Sequence, residues 1–165
     1  MKTILSIATV LLFCHAAWSA TGVETKMEYF LEGGILLPDQ IDEVTEVLPT
    51  WGLGVGWVKD TTVYGFELAN ATSEGVQFFN LAASIRADLE IMGLTGTVAG
   101  GLDATGLERP GHEGRKYFGG AHFSGGVMAL ISKGLYARMN MKFNLNPGVS
   151  MFLGFGLLYR PAEDF

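Results

Sequence analysis

Leu135-Tyr-Ala-Arg-Met-Asn-Met-Lys-Phe-Asn-Leu145 decides the fold of this chain. Its odd positions are apolar (Leu135, Ala137, Met139, Met141, Phe143, Leu145). Its even positions are polar or aromatic-polar (Tyr136, Arg138, Asn140, Lys142, Asn144). A strand sends successive side chains to opposite faces, so this stretch has one oily face and one charged face. After the turn Asn146-Pro147-Gly148 the pattern resumes. Val149, Met151, Leu153, Phe155, Leu157 and Tyr159 are apolar, with Ser150, Phe152, Gly154, Gly156 and Leu158 between them. Both stretches have about the 9–11 residues that a tilted strand needs to cross a bilayer.

Working outward, similar stretches fall at 27–36, 50–58, 62–69, 76–91, 94–103, 117–131, 135–145 and 149–159. The spacing predicts an all-β fold, an eight-stranded antiparallel up-and-down transmembrane β-barrel, and single-chain bacterial barrels have even strand numbers. The connections between stretches alternate in length. Segment 37–49 is long and acidic (Asp39, Asp42, Glu43, Glu46), and 104–115 is long with Gly, Pro, His and charge. Segment 70–75 is intermediate, and 59–61, 92–93 and 132–134 are tight. Short turns on one side and longer loops on the other are the pattern of outer-membrane barrels. The connection at 146–147 is short and departs from it. Ile41, Val44, Val47 and Leu48 have helical spacing, which predicts a short helix over 41–48. Pro161 cannot donate to a ladder, so the last strand should end near Tyr159.

The chain of 165 residues is long enough for one domain. It opens as a secretory signal does: Lys2, an apolar run from Ile4 to Phe13, then small residues from Ala16 to Ala20. Residues 1–20 are therefore expected to be a cleaved signal peptide and 21–165 the barrel domain. Cys14, the sole cysteine, lies in that segment behind Phe13, so neither lipidation nor a disulfide is expected.

With Lys2 removed, 17 acidic residues face 10 basic ones. That balance argues against a nucleic-acid partner, whose phosphates ask for a basic surface. Only 17% of residues are charged, below the roughly 25% of soluble domains. A lipid-covered outer surface accounts for the deficit. Clustered metal ligands are missing from the sequence, as are a phosphate-binding loop and a nucleophile elbow, so no cofactor is expected.

With apolar residues outward, the lipid face holds Trp51, Leu53, Val55, Trp57, Tyr64, Phe66, Leu68, Leu81, Ala83, Ile85, Leu89, Tyr117, Phe123, Val127 and Ile131. Trp51, Trp57, Tyr64, Tyr117 and Tyr159 fall near strand ends, where membrane-interface aromatics belong. The opposite face holds Ser84, Thr95, Thr97, His122, Ser124, Asn140 and Asn144 beside six charged residues. Glu67, Asp88 and Glu90 against Arg86, Arg138 and Lys142 are the candidate lumen charge network, because unpaired buried charges are costly. Eight strands enclose an interior just wide enough for side chains, so no open pore is expected.

Two other readings remain open. A soluble lipocalin-like lipid carrier would turn the apolar face inward. The pair His122-Phe-Ser124 shares a strand face, and its spacing is similar to the His-x-Ser pair of barrel-borne lipid A deacylases. That resemblance implies a lipid A-modifying hydrolase with His122 activating Ser124. The family carries Asn after the Ser and an acid further along. Here Gly125 follows Ser124, and no acid comes before Glu163.

Signal segment, alternating strands, loop asymmetry and the terminal Phe165 together resemble the small eight-stranded outer-membrane β-barrels of the OmpA/OmpX type. The resemblance implies a monomer in the cell outer membrane of a Gram-negative envelope. It would have a structural or surface-interaction role, with segments 37–49 and 104–115 as contact surface. Its partners would be outer-membrane lipid and lipopolysaccharide, and the barrel-assembly machinery during insertion.

Overall fold

The alternation becomes eight strands: β1 (Lys26–Pro38), β2 (Leu48–Lys59), β3 (Thr62–Ser73), β4 (Val76–Ile91), β5 (Leu94–Glu108), β6 (Lys116–Ser132), β7 (Leu135–Asn144) and β8 (Ser150–Tyr159). These come from a computed structural model that describes residues 26–38, 44, 46–73, 75–111, 114–146 and 148–161. The expected signal peptide at 1–20, the terminal Phe165, and Asp39, Asp42 and Glu43 of the first connection lie outside the described residues. Every strand pairs antiparallel with its sequence neighbours, and β1 also pairs with β8, so the sheet closes into a barrel. Closure leaves no edge strand with unpaired backbone groups, as a sheet in lipid requires.

The tight turns have a local cause. Met92 and Gly93 both take positive φ (52° and 83°) between the paired residues Ile91 and Leu94. That is the two-residue hairpin turn whose twist matches the flanking strands. Asp60 (φ 55°) and Gly134 (φ 74°) sit in the corresponding turns after β2 and β6.

The strands outrun the sequence pattern at the loop end. Ser73 pairs with Val76, so the connection expected over 70–75 shrinks to 74–75. β5 continues to Glu108, so the connection expected over 104–115 is 109–115. Beyond the apolar band the two faces of a strand no longer differ in surroundings. The ladder then continues without the alternation that marks it in sequence. The helix expected over 41–48 does not include Leu48, which opens β2, and 41–43 and 45 lie outside the described residues. β8 ends at Tyr159, before Pro161.

Inside and outside follow the parity of the sequence. Leu31, Ile85, Leu102 and Phe155 are among the exposed apolar side chains of the outer wall. Arg86, Arg138 and Lys142 are buried in the lumen. A soluble calyx would have the reverse arrangement, so the lipocalin-like reading falls. At the loop end the lumen is filled by an apolar plug of Leu36, Leu48, Val76, Phe78, Leu107 and Phe152. Val44 from the first connection and Phe118 from β6 pack against the same cluster.

Candidate functional site in the barrel lumen

The polar face that alternation turns inward carries charge from several strands. Toward the end where β1 begins and β8 ends, Arg86 on β4 makes a fork contact with Glu28 on β1. Its Nη1 donates to Oε1 at 2.7 Å and its Nη2 to Oε2 at 2.9 Å. The same guanidinium donates from Nε to Asp88 Oδ1 at 2.6 Å and from Nη2 to Oδ2 at 3.0 Å. Arg160, just past β8, donates from Nη2 to Glu28 and to Asp88, both at 2.7 Å. Burial works against the charge on Arg160. Its hydrogen bonds to Asp88 and Glu28 outweigh that and hold the guanidinium above its ordinary range. Two guanidiniums and two carboxylates thus satisfy one another, the condition under which buried charge is tolerable.

Deeper in, Lys142 Nζ donates to Glu67 Oε1 at 2.5 Å and to Asn80 Oδ1 at 3.1 Å. Asn80 Nδ2 donates onward to Thr105 Oγ1 at 2.9 Å. Arg138 approaches Glu32 at 3.6 Å and lies 4.2 Å from the centre of the Phe30 ring. His122 Nδ1 stands 3.6 Å from Asp103 Oδ2, too far for a hydrogen bond but within reach of charge.

Of the six residues expected to form the network, five are brought into the lumen as ion-pair partners. Glu90 is not among them: it is exposed near the turn end of β4. Sequence reasoning missed Glu28, Glu32, Asp103 and Arg160. For Glu28 and Glu32 the signal was present. They share inward parity with Phe30 on β1, but that aromatic between two acids blurs the alternation. Arg160 follows a strand end, where parity no longer assigns a face.

The expected interface aromatics fall at the two rims. Trp51 and Tyr117 stand exposed at the loop end and Tyr159 at the turn end, while Tyr64 is half-buried. Trp57 departs from expectation. It has outward parity yet is 3% exposed, packed edge-on against Phe66 with ring centroids 5.9 Å apart. A neighbouring aromatic on the same face of the sheet covers it. Tyr29, not singled out from sequence, is half exposed at the same rim.

The hydrolase candidates His122 and Ser124 both face the lumen. The acid that the sequence downstream of Ser124 does not supply comes instead from β5, as Asp103 beside His122. The remaining geometry is unsuited to lipid hydrolysis. Ser124 pairs across the sheet with Lys142 and Ala99. The cavity that His122 and Ser124 share with Glu28, Arg86 and Arg138 measures about 20 Å³. That is room for about one water. An acyl chain outside the wall has no approach to it. Among the described residues no cluster of metal-ligating side chains occurs.

No family model matches the chain, and no curated protein matches it. Solved structures do. The N-terminal β-barrel domain of Pseudomonas aeruginosa OprF is 12% identical, with a TM-score of 0.64 over 83% of this chain and 99% of that one. Neisserial surface protein A is 9% identical, with a TM-score of 0.65 over 82% and 96%. Ail, the attachment invasion locus protein of Yersinia pestis, is 10% identical, with a TM-score of 0.53 over 82% and 97%. Identity this low speaks for the fold alone. With its closed antiparallel sheet, apolar wall and filled lumen, the chain has the fold of the small eight-stranded outer-membrane β-barrels.

Proposed function

We propose that this protein spans the outer membrane of a Gram-negative envelope as a closed, non-conducting barrel with a structural or surface-interaction role. The observation that carries the reading is the contrast between wall and lumen. The wall is apolar all round, while the lumen is occupied by paired charges and an apolar plug. Such a molecule is stable in lipid and offers no continuous path to a solute. Lipid and lipopolysaccharide contact its wall, and the barrel-assembly machinery inserts it after residues 1–20 are cleaved. It works as a monomer, and its exposed loops form the contact surface. The β5–β6 connection carries Arg109 and Arg115, with Lys116 opening β6, and the first connection carries Glu46. Loops held on a rigid barrel are where recognition residues gather.

Cell fractionation combined with heat-modifiability on a gel tests this. The expected result is outer-membrane recovery and a folded band that shifts only on boiling. Recovery as a soluble protein would refute it. Planar-bilayer recordings should show no stepwise conductance. Ser124→Ala should leave lipid A acylation unchanged.

A further inference from the structure

Ion pairing in the lumen leaves one carboxylate over. Arg86 and Arg160 match Glu28 and Asp88, Lys142 matches Glu67, and Arg138 stands against Glu32. Asp103 on β5 has no lysine or arginine at ion-pair distance among the described residues. Its side chain is 0% exposed, and neither of its oxygens accepts a hydrogen bond. Its one titratable neighbour at that range is His122 on β6, whose side chain is 2% exposed. The Nδ1 of His122 has no hydrogen-bond partner either. A buried carboxylate without a cation is costly.

The sheet makes room for these two side chains. Asp103 pairs with Gly120 and His122 with Gly101, so each lies over a glycine of the other's strand. A Cβ at Gly120 would lie 2.6 Å from Asp103 Oδ1, and one at Gly101 would lie 2.8 Å from His122 Cε1. The two groups converge, with Oδ2 and Nδ1 3.6 Å apart. That is beyond a hydrogen bond. It is the separation of two ligands on one metal: each about 2.0–2.2 Å from a tetrahedral zinc, they stand roughly 3.3–3.6 Å from each other. Asn144 on β7 pairs with His122 and is buried. Its Nδ2 donates to Ser150 Oγ at 3.2 Å, and its Oδ1 has no hydrogen-bond partner. A carboxylate, an imidazole and an amide oxygen thus come from three adjacent strands, each with an uncommitted atom.

We infer that Asp103 Oδ2 and His122 Nδ1 bind a first-row divalent cation of the zinc type, with Asn144 Oδ1 and water completing its shell. The imidazole selects such ions over calcium and magnesium, which prefer all-oxygen sets. Only two of the protein ligands are of the usual kinds, so the site is weaker than a closed four-residue zinc centre. The cation supplies the positive charge that Asp103 otherwise lacks. Asn146, half-buried in the β7–β8 connection, stands beside Asp103 over Gly120. The site therefore lies next to the loop end of the barrel, and the ion is taken up from that side. The inference concerns the interior and stands apart from the role proposed for the loops.

Calorimetric titration of the metal-stripped, signal-cleaved barrel in detergent with zinc chloride tests it, together with urea unfolding with and without the metal. The expected result is one zinc per barrel and a raised unfolding midpoint. Asp103→Asn and His122→Gln should each weaken binding at least about tenfold, since even indirect partners of a metal cost that much. Asp103→Asn is nearly isosteric, and the heat-shift of each variant verifies its fold. Without metal, Asp103→Asn should unfold at no lower urea than the parent, because the carboxylate it removes had no cation. A purely structural carboxylate would give the opposite. His112→Ala, at the other histidine of the signal-cleaved chain, should leave binding unchanged. No zinc bound by the parent, binding kept by both site variants, or binding lost in His112→Ala would overturn the inference.

Discussion

Phe30 and Gly54 face each other across β1 and β2, and a Cβ added to Gly54 would lie 2.3 Å from Cζ of the Phe30 ring. The same two strands set Glu28 opposite Gly56 and Glu32 opposite Gly52. Three large inward side chains on β1 are thus met by three glycines on β2. An eight-stranded lumen is too narrow for long side chains on every inward position, so bulk on one strand demands its absence on the next. The ring of Phe30 then covers the glycine and offers its face to the Arg138 guanidinium.

Gly54→Ala should therefore act as an overpacking substitution and destabilise the barrel by about 1–3 kcal/mol. Urea unfolding in detergent micelles, followed by the heat-shifted band, measures this. In a Phe30→Ala background the cost of Gly54→Ala should be smaller but should not vanish. The added methyl would still meet the Phe66 carbonyl oxygen, 2.6 Å away. Full additivity of the two substitutions would contradict the contact.

Glu28 is the hub of the charge cluster at the turn end, accepting from both Arg86 and Arg160. Glu28→Ala leaves buried guanidinium charge without its partner and should cost about 3–5 kcal/mol. Arg160→Ala should cost less, about 1–3 kcal/mol. Arg160 is the most exposed member, and Arg86 still serves both carboxylates without it. The order of the two unfolding midpoints checks this. A larger loss for Arg160→Ala would show that Arg86 alone does not neutralise the pair.

Access to the lumen is predicted to be closed from the loop end. Ser124→Cys places a single thiol on the inner face of the signal-cleaved chain. It should react with a charged thiol reagent at least about tenfold more slowly than Thr72→Cys on the exposed loop-end wall, since thiol reactivity depends on access. Adding Phe78→Ala and Phe152→Ala, which removes two rings from the plug, should raise the rate at position 124. Equal labelling of the two thiols in the otherwise unaltered barrel would mean that the plug does not seal.

Trp51 and Trp57 share strand and face but differ in burial. Trp57→Ala should destabilise by about 3–5 kcal/mol, the range for emptying a packed aromatic site. Trp51→Ala should cost no more than about 1 kcal/mol, as surface substitutions do. Acrylamide should quench Trp51 emission in detergent and leave Trp57 nearly untouched. Equal quenching would place Trp57 at the lipid surface.

Strand number, strand faces and the closed fold were legible in the sequence because the signal for each is local. A strand of alternating chemistry carries its own face assignment. Leu135–Leu145 does this in eleven residues, and the rule extends to Arg86, Lys142, His122 and Ser124, all found inside. Where both sides of a strand have similar surroundings, as over Asn70–Ser73 and Ala104–Glu108, the alternation disappears and the strand ends became unreadable.

The sequence by itself determined that this chain forms an antiparallel barrel with an apolar wall and a polar, filled interior. Tertiary structure alone decided who pairs with whom inside. Arg86 finds Glu28 across 58 residues of sequence, Arg160 finds Glu28 across 132, and Asp103 reaches His122 from the neighbouring strand. Parity states that a residue points inward, but neither how far along the axis it sits nor what lies opposite. Those depend on register and strand tilt, which are fixed only when β1 closes on β8.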